Sequence, residues 1–341
     1  MYRYPFTPYP NGWFRLAYAH EVRRNAIKRV SAAGQELIVF RGDDGVASVL
    51  DAHCPHLGAD LSAGGKVVDN TVVCPFHNWQ FAGDGQCVKI PHCDRIPKKA
   101  VLRSWPVRER DGVVYFYYDA EDRAPAFDVP EGPYRAGVRW SRPMYFKWRI
   151  RMHIQEVVEN AVDTAHFPVV HAYAKPPVIN KLETNGASFT VDLTTQRFGM
   201  SFIGPSPISI SYHGMGVTHA HLTAKLGNKL GIEAGVILNT TPIDQEHCEI
   251  TIMARFRKSW NPLWNALVRP IMQHEIRNDF KNDIPIWEAK RYYERPVLSA
   301  ADGPIQVLRK WCRQFYSDSE AVAASPASVP ASRKVLNVVN G

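Results

Sequence analysis

Two cysteines and two histidines stand close together in the first quarter of the chain. They occur as Cys54-Pro55-His56 and Cys74-Pro75-Phe76-His77, with 17 residues between the halves. Thiolates and neutral imidazoles bind either zinc or an iron–sulfur cluster, and the spacing separates the two. Structural zinc sites usually open with two cysteines a few residues apart and keep their histidines together. Here each half supplies one thiolate and one imidazole, and a single residue separates the pair in the first half. That pattern suits a cluster with two thiolates on one iron and two imidazoles on the other, an arrangement that raises the potential of the imidazole-held iron. Cys87, Cys93, Cys248 and Cys312 lack ligand spacing and read as ordinary thiols.

A second group follows at Asn160, Asp163, His166 and His171. On a helix the first three recur every three residues and share one broad face. His171 would point elsewhere on a continuous helix, but Pro168 breaks it and lets His171 swing back. Two neutral histidines and one carboxylate make the facial triad that holds ferrous iron with positions left open for O2. The carboxylate must come from far down the chain. Glu275, Asp279 and Asp283 recur at four-residue spacing on one expected helix, and periodicity alone does not choose among them.

The elements that must position these groups divide the chain. Glu36–Phe40, a turn with Gly42 and Gly45, and Val46–Leu50 read as strand, turn, strand. Val67-Val68, Val72-Val73 and Val113–Tyr118 continue that theme, which predicts a small antiparallel β domain over residues 10–120. Each metal-ligand half follows a strand in a loop, Leu57-Gly58-Ala59 after the first and Asn78-Trp79 after the second, where backbone N–H groups can point at sulfur. Glu121 to Pro133 reads as a linker. Beyond it, Ile150–His166 lacks Gly and Pro and predicts a helix ended by Pro168. Residues 186–257 alternate as strands, and Pro262–Glu294 predicts helix divided by Pro270 and Pro285. Strands backed by a long C-terminal helix predict an α+β catalytic domain over residues 134–317. The Ala/Ser/Pro-rich stretch 318–341 predicts disorder.

Composition excludes several classes. Hydrophobic residues make up 45% and charged residues 22%, as in a folded globular protein. The net charge of +8 is spread along the chain and interrupted by acids, unlike a nucleic-acid-binding arm. A basic face of this kind suits an acidic electron-transfer partner. No stretch approaches the roughly 18 apolar residues of a membrane-spanning helix, and the N-terminus lacks the apolar core of a signal peptide. A cytoplasmic protein with reduced thiols is expected.

The Cys/His pattern resembles the Rieske family over most of residues 10–120, which implies a [2Fe–2S] cluster on Cys54, His56, Cys74 and His77. Respiratory Rieske proteins carry a further cysteine in each loop, joined as a disulfide. This chain has Ala59 and Phe76 at those places, which implies a lower-potential cluster suited to oxygen chemistry. The second group resembles the N-x-x-D-x-x-H-x4-H motif of Rieske oxygenases. By that resemblance His166 and His171 bind a mononuclear Fe(II), and Asn160 belongs to the same motif. Asp163 bridges to a cluster histidine, His77, of a neighbouring subunit. Also implied are an N-terminal all-β Rieske domain, a helix-grip (START-like) catalytic domain with an antiparallel sheet, and a head-to-tail homotrimer.

The segment Asp283-Ile284-Pro285-Ile286-Trp287-Glu288-Ala289-Lys290 resembles the D-x-x-I-W-x-x-K motif of steroid-acting members, whose first Asp is the third iron ligand, here Asp283. Asp51–Leu61, Gly64–Val67, and His153–Glu156 with Glu159-Asn160 are similar to the same branch. It includes 3-ketosteroid 9α-hydroxylase oxygenases, cholesterol 7-desaturases and bacterial sterol C-4 demethylase oxygenases. The resemblance implies an O2-dependent monooxygenase that oxidises a C–H bond of a sterol or steroid. Its electrons come from an NAD(P)H-dependent flavin reductase, a ferredoxin or both. The eukaryotic desaturases carry an N-terminal membrane segment. Its absence here leads to the expectation of a bacterial enzyme in the cytoplasm or at the inner-membrane surface. Apolar residues such as Phe189, Ile208, Ile210, Leu222, Val236 and Leu238, with Met200, Phe202, Ile203, Met215 and Val217, would divide between pocket lining and core. His219 and His221 could meet a substrate hydroxyl, though a structural role is the default reading. Two other readings stand beside this one: an aromatic or other small apolar substrate, and a Rieske electron carrier. An electron carrier has no need of His166, His171 and Asp283.

Overall fold

The computed structural model describes residues 4, 9–195, 205–226, 230–299 and 302–317. The tail from 318, expected to be disordered, lies outside them, as do Met200, Phe202 and Ile203. The chain divides into two compact units at Pro125/Ala126, and the residues up to Arg15 belong to the second. Strand β1 (Gly12–Tyr18) carries the chain into the first unit.

The first unit is built from short antiparallel strands. β2 (Ala26–Ala32), β3 (Gln35–Arg41) and β4 (Ala47–Asp51) form one sheet, with Val39 opposite Val49. β5 (Lys66–Val68), β6 (Thr71–Val73), β7 (Gln80–Ala82) and β8 (Cys87–Lys89) form a second, with Val72 opposite Phe81. β9 (Val107–Arg110) and β10 (Val113–Tyr118) pair antiparallel. Alternation sends Ile38, Phe40, Leu50, Val72 and Phe81 into one core, and Cys54 and Cys74 are packed in that same core. Cys54 and Cys74 are therefore fixed by the hydrophobic packing of the domain.

The second unit is a seven-stranded antiparallel sheet under a long helix. Its first strand, β11 (Met144–Ile150), is followed by two short helices, α1 (Ile154–Asn160) and α2 (Phe167–Val170). Then come β12 (Val178–Asn185), β13 (Ser188–Thr195), β14 (Ser206–His213), β15 (Val217–Leu226), β16 (Leu230–Pro242) and β17 (Cys248–Phe256). They lie in the order β11-β17-β16-β15-β14-β13-β12. The helices α3 (Pro262–Ala289) and α4 (Ile305–Cys312) complete the unit.

Two local expectations fail for identifiable reasons. The helix expected over 150–166 is only Ile154–Asn160. Ile150 is held extended by pairing with Cys248, and His153 caps the helix by accepting a hydrogen bond from the Gln155 N–H. Pro168 opens α2 instead of ending α1, because the first turn of a helix has no use for the N–H that proline lacks. The second failure is α3, which runs for 28 residues through both Pro270 and Pro285. Both prolines are exposed, so water can reach the carbonyls they leave unpaired.

Packing on the sheet supplies what local propensity does not. Val268, Met272, Ile276 and Phe280 lie against Phe146, Leu222, Val236, Leu238 and Ile252. A helix of this length, about 42 Å at 1.5 Å per residue, spans the sheet and delivers a residue from one end to the other. Replacing Ile252 by Ala should lower the stability of this unit by about 2–5 kcal/mol through a cavity under α3. Leu267→Ala, on the exposed side of the helix, should cost less than about 0.5 kcal/mol. Denaturant unfolding followed by tryptophan fluorescence distinguishes the two.

Candidate metal centres

In the first unit, Cys54 follows β4 and Cys74 follows β6, and the two loops repeat one backbone design. The Cys54 N–H donates to the Ala59 carbonyl at 2.8 Å, and the Gly58 N–H donates to the Cys54 carbonyl at 2.9 Å. In the other loop the Cys74 N–H donates to the Trp79 carbonyl at 2.8 Å, and the Asn78 N–H to the Cys74 carbonyl at 3.1 Å. Gly58 and Asn78 hold the matching position with φ of 75° and 56°, a left-handed turn that glycine and asparagine tolerate best.

Both cysteines are buried while His56 and His77 are exposed, with ring centroids 4.7 Å apart. His56 also stacks on Trp79 at 4.5 Å. Burial pushes the Cys54 thiol up to about 11; the His56 backbone N–H opposes this in part, and the neighbouring Cys74 adds to it. Two buried thiols side by side and two imidazoles at the surface fit a [2Fe–2S] cluster held across the loops, since cationic iron removes the cost of ionising the thiols.

In the second unit, α1 ends at Asn160, which is half-buried, and the N–H groups of Val162 and Asp163 both turn back to the Glu159 carbonyl at 3.1 Å. Asn160, Asp163 and His166 therefore do not share a helix face; the last two lie in the turn beyond it. His166 and His171 instead flank the single turn of α2, as the residues just before and just after it. Their ring centroids are 5.2 Å apart. Asp283 comes from the far end of α3, on the inward side that also carries Ile276 and Phe280. Its Oδ1 lies 3.2 Å from His171 Nε2. One donor atom from each of His166, His171 and Asp283 falls within 4.8 Å of the others. Among the described residues these three side chains form a group that could hold a metal ion.

The donors fit that role. Both ring nitrogens of His166, and Nδ1 of His171, are buried without a hydrogen-bond partner. An unsatisfied buried polar atom costs about 1–3 kcal/mol, and coordination by a metal removes that cost for the nitrogen it occupies. Asp279, one of the three candidates that periodicity left open, places Oδ1 3.7 Å from His171 Nδ1. A carboxylate behind a ligating imidazole orients the ring and raises its basicity. The signal for it was its position one turn before Asp283.

Asp163 Oδ2 lies 3.6 Å from His166 Nδ1. Burial raises the Asp163 carboxyl, but the nearby His166, with Lys290 adding, holds it below the usual carboxylate range. Lys290 also pairs with the fully buried Glu156 at 3.3 Å. Arg309 of α4 grips Glu159 with two bonds of 2.9 Å, and Gln155 donates to Glu159 at 2.9 Å. Thus α1 is clamped by a buried polar network from both sides, and the turn carrying Asp163 inherits its position. A Cβ on Gly303 would overlap the Val162 carbonyl, so only glycine fits against that turn.

The sheet register separates the expected lining residues. Ile208 pairs with Leu222 and Ile210 with Ala220, so Ile208, Ile210 and Leu222 face α3, as do Val236 and Leu238. Phe189, opposite Tyr212, shares that face and meets Trp311 of α4. Val217, His219 and His221 alternate with Leu222 and point to the opposite face. The His221 ring lies 3.2 Å from Glu233, which also pairs with Arg257 at 3.0 Å. His219 packs against His213 with ring centroids 4.9 Å apart. Neither His219 nor His221 is on the side of the sheet that carries Asp283.

Residues 12–106 match the family described as the Rieske [2Fe–2S] domain, and residues 116–316 match the 3-ketosteroid 9α-hydroxylase C-terminal domain. The chain is 31% identical over 328 residues to cholesterol 7-desaturase nvd of Bombyx mori, covering 91% of this chain and 70% of that protein. It is also 31% identical over 340 residues to a probable 3-ketosteroid-9-alpha-monooxygenase, oxygenase component, of Rhodococcus rhodochrous, covering 93% and 82%. Among solved structures, dicamba monooxygenase bound to dicamba superposes with a TM-score of 0.72 at 20% identity, over 93% of this chain and 99% of that one. NdmA of Pseudomonas putida CBB5 gives 0.71 at 18% identity, over 88% of each chain. Those two share the fold. No helix among the described residues is long and apolar enough to cross a membrane.

The far-face histidines have a pH consequence. Burial lowers both His213 and His219 to about 4, and for His213 the neighbouring His219 adds to the effect. The unfolded chain therefore binds protons on these groups between about pH 6.5 and 4 while the folded chain does not. Stability should be level in this respect above pH 6.5 and fall as pH drops through that window. His219→Gln should flatten the decline, as measured by denaturation midpoints at pH 7 and pH 5.

Proposed function

The chain belongs to the Rieske oxygenases with a 3-ketosteroid 9α-hydroxylase-type C-terminal domain, and from that premise we propose that it oxidises a C–H bond of a sterol or steroid. It is an O2-dependent oxidoreductase whose cofactors are a Rieske [2Fe–2S] cluster and a mononuclear iron. The substrate reading is carried by the relatives: a cholesterol 7-desaturase and a 3-ketosteroid monooxygenase component each match more than nine-tenths of the chain.

In this reading residues 10–120 hold the cluster through Cys54, His56, Cys74 and His77, and residues 134–317 hold the iron through His166, His171 and Asp283. When bound, the two centres supply electrons and activate O2 for attack on an aliphatic carbon. The protein's own part is placement. Asp279 orients the His171 ring. Asp163, exposed enough to reach outward, accepts a hydrogen bond from the partner subunit's His77 in a homotrimer, and Asn160 holds the turn from which it projects. Lys290 and Glu156 fix that turn from behind.

Such an enzyme needs an external electron source, here an NAD(P)H-dependent flavin reductase, alone or through a ferredoxin. An acidic docking face on that partner would suit the net charge of +8. The four cysteines outside the proposed cluster, Cys87, Cys93, Cys248 and Cys312, form no disulfide and suit the reducing cytoplasm. Hydroxylation, desaturation and stepwise demethylation all use this ligand set.

His171→Ala should remove the mononuclear iron and abolish turnover while the visible absorption of the cluster is unchanged; loss of both together would mean the sites are not separate. A single-turnover experiment tests the substrate class without the reductase. Chemically reduced protein, loaded with both centres, is mixed with O2 and sterols, 3-ketosteroids or aromatics. Product from a sterol or steroid supports the proposal, and product from an aromatic alone replaces it.

A further inference from the structure

Helix α3 carries apolar residues on two sides. Val268, Met272, Ile276 and Phe280 face the sheet. On the other side Trp260, just before the helix, is 89% exposed, Leu263 79%, Leu267 52% and Ile271 42%. Leu263, Leu267 and Ile271 follow at four-residue intervals, so they form one stripe along the outer face. Four large apolar side chains in a row facing outward are a surface feature that isolated exposure does not account for.

The charges around the stripe have one sign. Arg139 lies over the Trp260 ring at 4.7 Å, and Lys258 is exposed just before it, while the neighbouring Arg257 is paired with Glu233. Beyond Ile271 the same outer face continues with His274, Arg277 and Lys281, all exposed. From Trp260 to Lys281 the two carboxylates of the helix, Glu275 and Asp279, are both turned partly inward, and no acidic residue in that span is exposed. Apolar and aromatic side chains flanked by cations are the composition of a helix face that lies in the lipid headgroup layer, where anionic headgroups complement the charge.

We propose that this outer face of α3 docks the protein on an anionic lipid bilayer. The purpose rests on the sterol reading given above: a sterol is dissolved in membranes and nearly absent from water. The helix that meets the bilayer is also the one that carries Asp283, about 18 Å further along its axis than Ile271. The stripe gives attachment, and the basic residues around it give preference for negative headgroups.

The test is co-sedimentation of the full-length holoprotein with vesicles of phosphatidylcholine alone and with about a third phosphatidylglycerol. The wild-type protein should bind the anionic vesicles, and binding should weaken as salt is raised. Leu267→Glu/Ile271→Glu should reduce the bound fraction at least about tenfold. Arg277→Glu/Lys281→Glu should remove the preference for phosphatidylglycerol while leaving the stripe intact. Cluster absorption and turnover of a sterol presented in cyclodextrin should be unchanged in both variants, which shows that they fold. Failure of the wild type to bind vesicles, or equal binding by the apolar double variant, overturns the proposal. So does a drop in solution mass in that variant, which would make the stripe a contact between copies of the chain. Vesicle binding and sterol turnover are read separately, so loss of the sterol reading would show as no product in cyclodextrin with binding intact.

Discussion

An iron site of this kind needs three donor atoms gathered in a buried place before the metal arrives, although bringing them together leaves imidazole nitrogens without partners. His166, His171 and Asp283 meet that condition with donors within 4.8 Å. Much of the second unit serves it. The seven-stranded sheet supports α3 along its length, and α3 brings Asp283 to two histidines more than a hundred residues earlier in the chain. The Asn282 side chain donates to the Val170 carbonyl at 3.1 Å, tying α3 directly to the turn that the histidines flank. On the other side α1 buries Ile154, Val157 and Val158 and is also held by charge, through Arg309 to Glu159 and Lys290 to Glu156. Removing one partner from a buried pair of this type leaves an uncompensated charge, so the clamp resists drift in the turn that carries Asp163.

The first unit solves a related problem with a different device. The proposed cluster ligands come from two loops of the same backbone design, each tied across its neck by two hydrogen bonds and each turned by a residue with positive φ. The cysteines are fixed by the hydrophobic core and the histidines by surface stacking, so the sulfur side is shielded and the imidazole side is open to an electron-transfer partner. That asymmetry follows from a cluster that must be stable in its socket yet within reach of another protein.

Local spacing made the cluster loops readable from sequence: Cys54 with His56, and Cys74 with His77, each lie in one loop after a strand, where neighbouring residues determine the geometry. The strand pattern around them was readable for the same reason. At the iron site the residue types were legible but their arrangement was not. Pro168 can stop a helix or start one, and only the extended pairing of Ile150 and the cap at His153 decide that it starts α2. Pro270 and Pro285 suggested breaks in α3, yet packing against Phe146, Leu238 and Ile252 carries the helix through both. The role of Asp279 depends on a contact with His171, and the direction of His219 and His221 depends on sheet register. Periodicity along a single strand or helix states neither.

Two carboxylates of α3, Asp283 and Asp279, lie near His171, and the proposed iron site takes Asp283 as its ligand. Iron and acid-labile sulfide measured on purified Asp283→Ala and Asp279→Ala proteins address this directly. Asp283→Ala should lose one equivalent of iron per chain with sulfide unchanged. Asp279→Ala should keep that iron when reconstituted with excess ferrous salt and release it more readily to a chelator, as expected of a residue that orients a ligand. Retention of the full iron content by Asp283→Ala, with loss confined to Asp279→Ala, would contradict the assignment.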